Sequence, residues 1–349
     1  MGEEETIRIY KENCDEIISY TGTELFSQYG SMSIYQHWWF TDYASDIAEH
    51  LYDKEKCRPT FNSQSPQLYL RNVLVSLICE VAEQKGLNTT CVHLAVFILD
   101  IFMDNHNIAV ERLKLVALVC LLLGAKLEDS EHKVPKMSEL NTMISNQYPL
   151  KDYISVEVMI MEFFSFNISM ITYSHFMEYF IFLVVSESDF ELAKKNSDKY
   201  DDFKQFKFVA HETVFEIMDL CLKDIGIVHS VPSLIGSAII YATRRVLNIS
   251  PVWTTDIRNM TAYMEDEVQP CAEKIIQLRD ANQKKRKLSS SPESVYELVN
   301  YPEYTPKRMK ISSSERAAII NPVADAVPRN ISLDEFKKLW TENYFSEYE

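Results

Sequence analysis

The chain has 349 residues, 46% of them hydrophobic, with 51 acidic against 35 basic side chains and a formal net charge of −16. That length and apolar content fill two domains of ordinary size and exclude disorder throughout, while the acidic balance repels a phosphate backbone and opposes a general nucleic-acid role. Seven glycines without a single GxG pair leave neither a dinucleotide-binding loop nor a GxxxxGK phosphate loop.

From the N-terminus, MGEEET shows no basic segment followed by an apolar stretch, so no secretory signal is expected. It matches the MGxxx(S/T) acylation pattern, but three glutamates and no polybasic support make that a chance match. Residues 1–34 read as an N-terminal helical arm. No apolar run reaches membrane-spanning length; the longest, 115–123 and 154–168, are too short or interrupted by charge, and the chain is expected to be soluble without a membrane partner. The seven cysteines are scattered and never in CxxC spacing, a reduced intracellular pattern in which most pack inside apolar helices. The histidines show no HExxH or other ligand spacing, so no metal, cofactor or catalytic residue is expected.

Helical periodicity begins with Leu70, Val73, Leu74, Leu77, Ile78 and Val81, which predict an amphipathic helix over 66–85 closed by Gly86. Asn88, Thr89 and Thr90 supply N-cap candidates for a second helix, whose buried stripe is Leu94, Phe97, Ile98, Ile101 and Phe102. The third, ERLKLVALVCLLLGAKLED over 111–129, is apolar on nearly every side and must be enclosed by a core. It ends on Lys126, a charge held where core meets surface. A short fourth helix spans 135–143. The fifth runs over 151–166, with Ile154, Val158, Met161, Phe164 and Ile168 expected to face inward. It carries Glu157, and two opposite charges fixed on packed helices can grip a partner jointly.

The pattern then restarts with ITYSHFMEYFIFLVV, an aromatic helix over 200–222, a helix opened by Pro232, the short TTDIRNMTAY segment and a long helix over 265–286. No alternating strand signal occurs. The predicted fold is all-α: two tandem five-helix domains over 35–169, with a preceding helix, and 170–286. Residues 287–349 follow as a serine-, proline- and lysine-rich flexible tail. Within the tail, Ser332 and Glu335 have capping-box spacing, and Leu333, Phe336, Leu339 and Trp340 share one face, which predicts a short helix over 332–345 that docks in cis or on a partner.

HLAVFILDIFMD, then ERLKLVALVCLLLGAKLED, then a helix carrying Glu157 before FSFNI resembles the N-terminal box of the cyclin family, and the likeness extends from about Trp38 to Arg286. HWWF, QSPQLYLRN, LNISPVW and NMTAY are similar to one subgroup of that family. The resemblance implies a non-catalytic regulatory subunit for a cyclin-dependent serine/threonine kinase in cell-cycle control. Lys126 and Glu157 then fall on the family's kinase contacts, which position the kinase's mobile αC helix. It also implies that Arg71 and Asp100 form the internal pair joining the first two helices, since charges inside apolar helices need partners. The family's docking patch for RxL peptides of kinase substrates or inhibitors maps to Leu70, Val73, Leu74, Leu77 and Glu80. Leu77 stands where that patch has tryptophan and Lys114 where glutamine is usual, so core packing is the preferred reading of these leucines.

The basic run Lys284, Lys285, Arg286 and Lys287 is of nuclear-import type, which places the protein in the nucleus, with the cytoplasm as a further location. Ser291 and Thr305 precede prolines and are candidate phosphosites. The alternative function is a cyclin-fold adaptor that binds transcription factors without activating a kinase.

Overall fold

In a computed structural model, residues 44–196 and 200–289 are described; the N-terminal arm, Ser291, Thr305 and the 332–345 segment lie outside them. The described residues are helical and contain no strand. They begin with α1 (Ala44–Lys56), followed by a first bundle of α2 (Arg71–Lys85), α3 (Thr89–Asn105), α4 (Leu113–Glu128), α5 (Met137–Met143) and α6 (Leu150–Phe163). A second bundle holds α7 (Tyr173–Phe180), α8 (Glu187–Asn196), α9 (Phe203–Lys223), α10 (Ile225–Val228), α11 (Pro232–Val246), α12 (Thr255–Thr261) and α13 (Glu265–Ser289). Two of these, α8 and the one-turn α10, add to the five expected by periodicity. The α8 segment ESDFELAKKN is too polar to show a stripe, and α10 is a single turn capped by Asp224, whose carboxylate accepts from Gly226 N and Ile227 N.

Local chemistry sets the helix ends. Asn88 Oδ1 accepts from Cys91 N at 2.6 Å to open α3, Asp202 accepts from Gln205 N to open α9, and Pro232 sits in the first turn of α11. Gly86 closes α2 at φ +63°, in the left-handed region that glycine enters without penalty. Helix α6 ends at Phe163, three residues earlier than its periodicity predicts.

Helix α4 is the axis of the first bundle. Leu113 and every residue from Leu115 to Ala125 is buried, enclosed by α2, α3 and α6. Each enclosed leucine or valine contributes about 1.5–3 kcal/mol. The tightest approach is at Gly124, where a Cβ would lie 2.7 Å from the Cys91 carbonyl oxygen and 3.4 Å from Ala95 Cβ. In the second bundle α11 has the same central place, packed by α7 and α9, while α1 lies against α7 and α11. Glu55 of α1 accepts from both Ser233 N (2.7 Å) and Ser233 Oγ (2.8 Å) at the start of α11.

Of the six described cysteines, all free thiols, Cys91, Cys120 and Cys221 are buried as expected, whereas Cys57 is exposed at the end of α1. Burial pushes the Cys79 thiol up to about 11. Among the described residues no helix is long and apolar enough to cross a membrane.

The substitution Gly124→Ala is expected to destabilise the chain by about 1–3 kcal/mol. Alanine's better helix propensity, about 1 kcal/mol, is outweighed because the obstacle is backbone on a neighbouring helix. Urea denaturation followed by circular dichroism checks this; an unchanged or higher midpoint refutes the close-packing argument.

Candidate functional site

Lys126 is the first residue of α4 past its buried run, and Glu157 lies two turns into α6. The helices pack against each other, and Lys126 Nζ donates to Glu157 Oε1. The side chains remain 44% and 17% accessible, so the pair sits at a rim rather than in the core. Lysine has three donors and the carboxylate two oxygens, which leaves capacity on both groups for an incoming partner.

The face around this pair is apolar. The sequence periodicity turns Ile154 inward, but it is 44% exposed, and Val158 and Met161 are only half-buried. The inward positions are instead Tyr153 and Ile160. The reason is that two apolar stripes run along α6, and periodicity alone does not say which one the bundle covers. The uncovered stripe is Leu150 (47% exposed) and Ile154, at i and i+4, continuing to Glu157 at i+7. Beside it, Leu127 is exposed next to Lys126. A cleft of about 760 Å³, lined by Lys126, Val134, Pro135, Met137 and Leu150 among others, opens directly alongside. An exposed apolar patch bordered by charged groups is the usual anatomy of a protein-binding face.

Arg71 and Asp100 are deeply buried and bonded bidentately, Nε to Oδ1 at 2.8 Å and Nη2 to Oδ2 at 2.9 Å. Arg71 also donates to the carbonyls of Leu222 (3.0 Å) and Lys223 (3.1 Å). These are C-terminal carbonyls of α9 that no helical N–H reaches, and the negative end of the helix dipole favours a cation there. Thus the pair that joins α2 to α3 also meets the second bundle. A further contact between bundles runs from Thr90 Oγ1 to Glu178 Oε1 at 2.5 Å. Burial holds the Glu178 carboxyl above the usual carboxylate range.

Sequence reasoning did not find Arg244 and Asp189, the second bundle's own buried pair at 2.8 and 2.9 Å, in which Arg244 also donates to Val184 O and Pro251 O. Arg244 inside the apolar run IIYATRRV was the available signal; nothing pointed to a partner 55 residues away. His93, with both ring nitrogens unbonded, is pushed down to about 3 by burial and is a packed core residue.

Within the proposed docking patch, Leu74 is buried, Leu70 and Leu77 are half-buried, Glu80 is exposed and Val73 is 60% exposed. Tyr69, immediately before them, is 73% exposed. Core packing therefore accounts for Leu74 and not for Val73: a helix on a bundle's outside leaves part of its apolar stripe uncovered. Lys284 and Lys285 are exposed on the last turns of α13, and Arg286 and Lys287 continue that helix.

Residues 46–169 match the cyclin N-terminal domain model and 171–317 the cyclin C-terminal domain model. The chain is 33% identical to Cyclin-J of Xenopus laevis over 70% of its own length and 64% of that protein's, and 30% identical to Cyclin-J of Homo sapiens over 75% and 69% respectively. It therefore spans just under two thirds of the frog relative. A viral cyclin from herpesvirus saimiri, solved by X-ray, matches with TM-score 0.52 at 16% identity over 66% of this chain and 96% of that one, which shows a shared fold.

Proposed function

The chain belongs to the cyclin family, and we propose that it is the non-catalytic regulatory subunit of a cyclin-dependent serine/threonine kinase, which it binds and activates through the face formed by α4 and α6. The observation that carries this reading is the uncovered apolar stripe of Leu150 and Ile154 leading to the Lys126–Glu157 pair. A kinase becomes competent when its strand lysine pairs with the αC glutamate, which requires that helix to be held inward. A rigid apolar face with fixed charges supplies what is needed, because it binds one arrangement of the helix better than the other and shifts the population by that difference. The backbone that carries Lys126 is fixed, because its helix is enclosed up to Ala125. The adaptor alternative uses no such face for a kinase and makes no demand on Lys126 together with Glu157.

We further propose that Tyr69 and Val73, flanked by Leu70, Leu77 and Glu80, form a second and weaker surface for peptides carrying a basic and an apolar residue. The exposed Val73 and Tyr69 supply apolar area, and Glu80 supplies the complementary charge. The basic run ending α13 supports nuclear import as the route to the compartment where such a kinase complex acts.

Three measurements test these readings. In capture from a panel of purified cyclin-dependent kinases, the wild-type chain is expected to bind at least one and raise its activity, and Lys126→Ala or Glu157→Ala to weaken binding by about 30-fold or more, the effect of truncating one partner of an interfacial charge pair. Capture of no kinase, or equal binding by both variants, sinks the kinase reading. For the second surface, Val73→Asp is expected to lower the affinity of a fluorescent basic-apolar peptide about tenfold while leaving kinase capture intact; equal affinity rejects the surface. A fluorescent fusion in which Lys284, Lys285, Arg286 and Lys287 are all changed to alanine is expected to lose nuclear accumulation, and undiminished accumulation rules out that run as the import signal.

A further inference from the structure

One group of contacts between the two bundles meets at an imidazole. His229, just past α10, bonds through Nε2 to Asp100 Oδ2 at 3.0 Å. Asp100 already receives Arg71 Nη2 on the same oxygen at 2.9 Å and Arg71 Nε on the other. A carboxylate in that setting only accepts, so Nε2 is the donor. The ring is held on its faces as well. Phe61 stacks on it at 3.8 Å and 9° between planes, and Phe97 lies tilted at 5.7 Å. Phe61 is itself fixed, because both oxygens of the buried Asp104 accept backbone N–H groups of the loop that follows it, from Asn62 at 2.6 Å and Gln64 at 2.5 Å. One residue beyond His229, the Ser230 carbonyl accepts from Arg58 Nη1 at 3.2 Å, and that guanidinium rests 4.2 Å over the Phe97 ring.

Every group gripping this turn belongs to the first bundle or the loop before it, and His229 belongs to the second. The Arg71–Asp100 pair is thus only part of a socket. Its remaining acceptor capacity faces across the junction and is filled by a side chain 129 positions from Asp100. A buried carboxylate left with an open acceptor site is costly, so the socket favours arrangements of the two bundles in which the imidazole is seated.

We propose that His229 is a positioning residue, a latch whose hydrogen bond to Asp100 fixes the α10 turn of the second bundle against the first. The inference concerns the free chain and stands apart from the kinase reading, since its readouts are taken without a kinase.

Hydrogen–deuterium exchange on the whole chain, read by mass spectrometry, tests it. In His229→Ala, backbone amides over 224–231 and 57–67 are expected to exchange about tenfold faster, the loss of roughly one hydrogen bond to a charged group. Peptides from the centres of α4 and α11 should be unchanged. In His229→Gln, whose amide nitrogen can occupy the Nε2 position, protection at both segments should return; His229→Asn, too short to reach Asp100, should behave like alanine. Unchanged exchange at the two segments in His229→Ala overturns the latch. So does uniformly faster exchange in α4 and α11, the signature of a general packing residue. Failure of glutamine to restore protection where asparagine also fails assigns the effect to ring stacking and rejects the hydrogen bond. Should the alanine variant not fold, the glutamine–asparagine comparison decides alone.

Discussion

A helix with no polar side cannot lie on a surface, and α4 is such a helix. From Leu115 to Ala125 it exposes nothing, so the first bundle exists as an enclosure around it, with α2, α3 and α6 supplying the walls. The enclosure stops abruptly. At Lys126 the chain leaves the core, and the charge there inherits the rigidity of everything beneath it. The Gly124 contact with α3 draws the two helices together within one turn of that lysine. Placement of the candidate binding face is in this sense a consequence of burial rather than of any polar interaction.

Buried charge is handled alike in both bundles. Arg71 and Arg244 each meet a carboxylate bidentately and also donate to two backbone carbonyls, while the buried Arg244 Nε has no partner. Such pairs add little net stability over well-packed apolar side chains, because removing two ions from water offsets most of their attraction. Their value lies in direction. A guanidinium held by a carboxylate and two carbonyls tolerates few arrangements of the elements around it. For Arg71 those elements belong to both bundles, so an ion pair internal to the first also bears on the second.

The apolar residues that the bundle leaves uncovered matter as much as those it encloses. Leu150 and Ile154 are as apolar as the buried Ile160 of the same helix α6 but stay partly exposed, and Val73 does so on α2. Contiguous exposed apolar area of this kind marks a candidate interaction surface. Both patches are bordered by acidic or paired charges, which set the orientation of an incoming surface more than its affinity.

The sequence by itself determined the all-α class, the order of the helices, most of their ends, the family and the two charges at the rim. Period, caps, Gly86 and Pro232 are local signals, and an all-round apolar run admits only one environment. Which of two apolar stripes on α6 faces inward was decided by tertiary structure, because each has helical spacing and only the neighbouring helices break the tie. The same holds for Val73, outside, against Leu74, inside. The partners of Arg244 and His229 lie 55 and 129 residues away, and the polar helix α8 lacks a stripe to announce it. Hydrogen bonds across such separations leave no periodic trace. They exist only once the elements that carry them have packed.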